Sequence, residues 1–168
     1  MNLYLIRHGI ARDAGEKFSD AQRPLTREGV KKFRQAVEGF MTLSPPIDLI
    51  FSSPLTRARQ TADILAHQIE AAQHYPISVQ VCPSLAPPDD LKAFLASVFQ
   101  INSAARGVAA IGHDPILSRW IAALCSGGHG QFEMKKGAIA GIELTGKQTL
   151  SGELFMLAPP ALLRQMAR

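Results

Sequence analysis

The chain has 168 residues, 46% of them hydrophobic and 19% charged, with a formal net charge of +4. That composition excludes disordered and fibrous classes, and the length suits a single domain, residues 1–168, with a core of its own. The mild basic excess fits an anionic substrate, while no Lys/Arg tract interleaved with aromatics points to nucleic acid.

The apolar run Leu3–Ile6 reads as a buried strand, cut short by Arg7 and His8 too early for a secretory or membrane segment. A cytoplasmic location is therefore expected. From Arg27 to about Met41, Val30, Phe33, Val37 and Phe40 recur at helical spacing, and Pro45-Pro46 ends that region. Asp48–Ser52 is a second strand. Ser53-Pro54 then reads as a cap followed by proline at the first helical position, opening a helix with Ala58, Ala62, Leu65 and Ile69 on one face.

Ile77–Val81 alternates as a third strand, and Asp89 or Asp90 opens a helix to about Phe99. Gly107–Ile111 is a fourth strand. Asp114-Pro115 repeats the cap-then-proline pattern and opens a helix to about Leu124. After the Gly127–Gly130 turn, Ala138–Leu144 and Glu153–Leu157 form a closing pair of strands. Strand–helix alternation predicts an α/β fold with a mostly parallel sheet covered on both faces.

Three polar clusters follow predicted strands: Arg7-His8-Gly9, Ser52-Ser53-Pro54 with Arg57, and Gly112-His113-Asp114-Pro115. The carboxyl ends of strands form the ligand crevice of open α/β sheets, so these clusters are expected to converge. Arginine offers a fork of donors matched to phosphate oxygens, the two following helices turn their N-terminal amides to the same crevice, and histidine can serve as a covalent nucleophile. Gly9 allows close backbone approach beside His8 and is expected among the phosphate-binding residues.

The two cysteines do not compete for this role. Cysteine phosphatases carry an Arg on the same loop as the nucleophile, and the corresponding positions after Cys82 and Cys125 are Pro88 and Gln131. His67, His74 and His129 lack metal spacing with one another or with a cysteine.

Leu5-Ile6-Arg7-His8-Gly9 resembles the signature of the histidine phosphatase superfamily, which includes phosphoglycerate mutases and acid phosphatases. The stretch from Ser52 to Ala62 resembles that family's second motif, and Gly112-His113 its third. Asp20-Ala21-Gln22-Arg23-Pro24-Leu25-Thr26-Arg27-Glu28-Gly29 is similar to a stretch of the small bacterial phosphohistidine phosphatases of the SixA type.

The resemblance implies a three-layer α/β/α sandwich of phosphoglycerate mutase-like fold, with no metal and no cofactor. It implies His8 as the phospho-accepting nucleophile, and Arg7, Arg57 and His113 on the phosphoryl oxygens. Many members carry an acidic residue just after the third strand, but Pro83–Pro88 here contains none. The nearest alternatives are Asp13, Glu16, Asp20 and Asp114. Between Val81 and Val108 there is room for little more than one helix, so the site is expected to lack a lid and stand open.

The implied partner is a phosphorylated protein bearing phosphohistidine. A small phosphorylated metabolite, cleaved by a phosphomonoesterase or phosphotransferase, is the alternative. A non-catalytic phosphohistidine-binding module is a third possibility, disfavoured by the intact His8.

Overall fold

The computed structural model describes residues 1–15, 18–74, 76–146 and 150–167. One six-stranded sheet forms its centre, from β1 (Asn2–Arg7), β2 (Leu49–Ser52), β3 (Val79–Val81), β4 (Gly107–Gly112), β5 (Ile139–Leu144) and β6 (Gly152–Ala158), in the order β3-β2-β4-β1-β5-β6. β3, β2, β4 and β1 are parallel neighbours, while β5 and β6 run antiparallel as the closing pair.

Alternation along β1 explains the two faces. Tyr4 and Ile6 point to one side, where they meet α1 (Arg27–Met41), α2 (Thr56–Gln73) and α5 (Pro160–Met166) through Phe33, Leu65 and Leu163. Leu3 and Leu5 point to the other, against α3 (Leu91–Ile101) and α4 (Ile116–Cys125) through Phe94 and Trp120. The three-layer α/β/α sandwich follows directly. Among the described residues no helix is long and apolar enough to cross a membrane.

Two helix starts differ from the sequence reading. α2 begins at Thr56, not after Ser53, because Ser53 Oγ is taken by the His113 ring and caps no first-turn amide. α4 begins at Ile116, and Asp114 accepts from the Ser118 hydroxyl rather than from the backbone. At α3 the expected cap holds, with Asp90 Oδ1 accepting from Ala93 N at 2.9 Å. β3 is shorter than expected at its start, because the Ile77 amide donates to Glu70 Oε1 on α2. α5 is an element the sequence reading left out.

α5 lies directly on α1 because Gly39 has no side chain: a Cβ there would sit 1.8 Å from the Leu163 carbonyl oxygen. Alanine at Gly39 would gain about 1 kcal/mol of helix propensity, but it would force two backbones apart, and overpacking typically costs about 1–3 kcal/mol. The clash wins. Gly39→Ala is expected to lower stability in urea unfolding, whereas Gly15→Ala, with nothing within 4 Å of its added carbon, stays near wild type.

Candidate active site

Strand register brings the three polar clusters together. Arg7 pairs with Gly112 at the end of β1 and β4, and Ser52 pairs with Ile111 on the other flank of β4. Pairing runs one residue further: His8 N donates to Gly112 O (3.1 Å) and Ser53 N to Ile111 O (2.9 Å). His8 and His113 thus leave adjacent strands side by side, with ring centroids 5.1 Å apart. Arg57 reaches the same point from the first turn of α2.

The geometry around His8 fixes its tautomer. Nδ1 lies 2.7 Å from the Gly9 carbonyl oxygen, which only accepts, so Nδ1 carries the proton. The lone pair is on Nε2, where Arg57 Nε–H donates at 3.3 Å. Gly9, expected beside the phosphoryl group, has its amide donating to Thr61 Oγ1 at 3.1 Å, and its carbonyl orients His8. Thr61 Oγ1 in turn donates to the Arg57 carbonyl at 2.6 Å, tying α2 to the His8 loop.

Arg7 and Arg57 are each met by one carboxylate and one backbone carbonyl. Arg57 Nη1 donates to Asp20 O at 2.6 Å and Nη2 to Asp20 Oδ2 at 3.2 Å. Arg7 Nη1 donates to Met134 O and lies 3.9 Å from Asp114 Oδ2. The Gly137 amide donates to the carbonyls of Arg7 (3.0 Å) and His8 (3.1 Å). Arg7 Nε and His113 Nδ1 are buried without a hydrogen-bond partner among the described residues.

Thr61, Met134 and Gly137 were missed from sequence. Thr61 had a signal, lying one helical turn beyond Arg57. The other two act through backbone groups that leave no mark in the side-chain pattern.

The site is not open in the way the missing lid suggested. No long insertion lies between β3 and β4, yet His8, Arg57 and His113 are only 6%, 7% and 6% exposed. The connection from β1 to α1 supplies cover on one side, where the turn at Asp20–Gln22 lies over Arg57. The Asp20 side chain on top of it is 61% exposed, so Arg57 lies one side chain from solvent. Beside Gly9, a cavity of about 440 Å³ is lined by Phe33, Lys32, Lys135, Lys136 and Arg164.

Among the candidate carboxylates, Asp13 is exposed, Asp114 is bonded to Ser118, and Glu16 lies outside the described residues. After β3, Asp89 accepts from Trp120 Nε1 (3.0 Å) and Arg119 (2.5 Å), and Asp90 caps α3. Among the described residues no group of three or more His, Cys, Asp or Glu could hold a metal ion. His67, His74 and His129 are exposed.

Burial pushes the His8 imidazole down to about 3, with His113, Arg57 and Arg7 adding to the fall and the Gly9 carbonyl opposing it. Burial likewise brings His113 down to about 4, with Arg57 and Arg7 assisting and Asp20 opposing. Both rings are therefore neutral in the folded protein near pH 7, while in the unfolded chain they take up protons near 6.5. The unfolded state binds more protons below that point, so stability is full above about pH 6.5 and falls as the pH drops toward 4. Urea midpoints at pH 7, 6 and 5 should decline for the wild type. A His8→Asn/His113→Asn variant should show a shallower decline over the same range.

Residues 3–86 match the family model of the histidine phosphatase superfamily (branch 1). An uncharacterised protein of Picosynechococcus sp. is 36% identical over 165 residues, covering 95% of this chain and 97% of that protein. The phosphohistidine phosphatase SixA of Escherichia coli (strain K12) is 30% identical over 130 residues, 76% of each. The structure of the protein histidine phosphatase SixA complexed with tungstate superposes with a TM-score of 0.80 at 26% identity, covering 96% of this chain and 98% of that one. An alpha-ribazole phosphatase from Shigella flexneri shares the fold at a TM-score of 0.62 and 19% identity, covering 95% and 97%. The sheet with its flanking helices is accordingly the phosphoglycerate mutase-like fold. With its signature residues gathered at the ends of β1, β2 and β4, the chain belongs to the histidine phosphatase superfamily.

Proposed function

We propose that this protein is a phosphatase that works through a phosphohistidine intermediate on His8 and takes its phosphoryl group from phosphohistidine on a protein. The observation that carries this reading is the neutral, tautomer-fixed imidazole of His8, whose Nε2 lone pair is met, among the described residues, by a guanidinium N–H alone.

In the first displacement Nε2 attacks phosphorus as the donor group leaves. The Gly9 carbonyl, already holding Nδ1–H, stabilises the positive charge that develops on the ring. Arg57 Nε–H, freed when the lone pair is used, donates to a phosphoryl oxygen. Arg7 and His113, whose buried Nε and Nδ1 have no other partner among the described residues, are assigned to the remaining oxygens. Two guanidinium groups supply the positive charge that a metal ion would bring elsewhere.

The substrate class rests on the leaving group. Expelling an alkoxide needs a positioned acid, typically a contribution of about 10²–10⁴-fold. The carboxylates after β3 are engaged with Trp120, Arg119 and the α3 amide, and Asp20 is held ionised by Arg23 and Arg57. An imidazole already protonated on its other ring nitrogen leaves as a neutral group without that help. The shallow cover over Arg57 and the lysine-lined cavity beside Gly9 suit a phosphorylated side chain carried on an acidic protein surface. SixA of Escherichia coli, 30% identical over an alignment that covers 76% of this chain, is a phosphohistidine phosphatase, which supports the same choice.

The test compares kcat/KM for a phosphohistidine-bearing protein or peptide with that for alkyl phosphates such as sugar phosphates. A higher value for the phosphohistidine donor is expected, and faster alkyl ester hydrolysis would favour a small-molecule phosphomonoesterase. His8→Ala is expected to abolish turnover. Retained binding of phosphohistidine by a wild type without turnover would mark a binding module instead. Arg57→Ala is expected to lower kcat by roughly 10²–10³-fold, while Arg59→Ala, on the exposed face of α2, leaves it near wild type. Steady-state assays of the two variants side by side check the assignment.

A further inference from the structure

Arg57 links the nucleophile to a carboxylate. Its Nε donates to His8 Nε2, and its Nη2 and Nη1 donate to the side chain and main chain of Asp20. The second carboxylate oxygen, Oδ1, accepts from Arg23 Nη1 at 2.7 Å, and Arg23 Nε is itself anchored on the Arg12 carbonyl at 2.5 Å. Asp20 is thus clamped from two sides on a short turn, toward solvent, while Arg57 beneath it is buried. Among the described residues it is the one carboxylate that hydrogen bonds to a side chain which itself hydrogen bonds to His8 Nε2.

We propose that Asp20 is the general base of the second displacement, taking the proton of the water that attacks phospho-His8. This rests on the reading of His8 as the phospho-accepting nucleophile. The water oxygen bonds to phosphorus as the P–Nε2 bond breaks, and that electron pair returns to Nε2. The water proton passes to Asp20 Oδ2 and from there to bulk solvent, and inorganic phosphate departs.

Attack in line must come from the side of phosphorus away from Nε2. We assign Asp20 to that side because it is exposed above Arg57 and near enough to His113 to favour its protonated form. Of the alternatives, Asp89 is bonded to Trp120 and Arg119 and Asp90 to the α3 amide, while Asp114, bonded to Ser118 and 3.9 Å from Arg7, makes no hydrogen bond to Arg57 among the described residues.

The same clamp defines what Asp20 does not do. Hydrogen bonds from Arg23 and Arg57 hold its carboxyl below the usual carboxylate range, so it is a base at neutral pH and a poor proton donor. A residue of this kind serves the hydrolysis of the enzyme's own phosphohistidine without assisting departure of an alkoxide. That asymmetry favours nitrogen-linked phosphoryl donors.

Asp20→Asn keeps the backbone carbonyl that holds Arg57 and an oxygen for Nη2, but removes the base. Rapid mixing with a phosphohistidine peptide, followed by alkaline quench, which preserves phosphohistidine, separates the two steps. Asp20→Asn should form phospho-His8 at close to the wild-type rate and accumulate it, with hydrolysis slowed by roughly 10²–10⁴-fold and rising with pH as hydroxide replaces the base. Asp20→Glu should recover part of the hydrolysis rate.

Equal slowing of both steps without accumulation would make Asp20 a positioning residue for Arg57 and overturn the proposal. Turnover at the wild-type rate would overturn it as well. If neither wild type nor variant carries alkali-stable phosphate and His8→Ala remains active, the reading of His8 itself fails.

Discussion

The hydrogen bond from His8 Nδ1–H to the carbonyl of the next residue, 2.7 Å long, is the constraint on which the site depends. It decides which ring nitrogen keeps a lone pair, and so which atom can meet Arg57. Its geometry is enforced from outside the ring. The Gly9 amide is fixed by Thr61, the His8 amide by Gly112, and the His8 carbonyl by Gly137. A histidine held only by its own backbone would exchange tautomers in water. Here strand pairing on one side and α2 on the other remove that freedom, and burial keeps the ring uncharged.

Charge around the ring is balanced in pairs. Arg7 faces Asp114 and a carbonyl, and Arg57 faces both groups of Asp20. Two uncompensated guanidinium groups under a tightly packed loop would be costly, and they would also retain phosphate strongly. With each cation already engaged, a phosphoryl dianion gains only the difference between its own contacts and those it replaces. Release of inorganic phosphate is correspondingly easy.

Much of this was legible in the residues. Apolar runs, alternation, helical spacing and cap signals located every strand and four of the five helices among the described residues, and three polar clusters at strand ends foretold the convergence of His8, Arg57 and His113. α5 was not legible, since it is seven residues long, begins at a proline pair, and buries a single side chain, Leu163. The starts of α2 and α4 were misread because Ser53 and Asp114 look like caps until a histidine ring and a serine hydroxyl take their oxygens. Site cover was sought as an inserted segment after β3 and came instead from the connection that follows His8. Tertiary partners decided each of these cases, and local sequence carries little trace of them.

The position of β1 has a consequence for how the enzyme comes into being. The strand that leads into His8 precedes both of its neighbours in the chain, yet it lies between β4 and β5, and its end is held by the Gly137 amide and by Met134 ahead of β5. A ribosome that has released the first hundred residues has delivered His8 and Arg57 but neither neighbour of β1. The ring is then unburied, charged at mildly acid pH, and free to take either tautomer. The site is therefore complete only once β4 and β5 flank β1. A nascent or partly unfolded chain carries the signature residues without the assembled site.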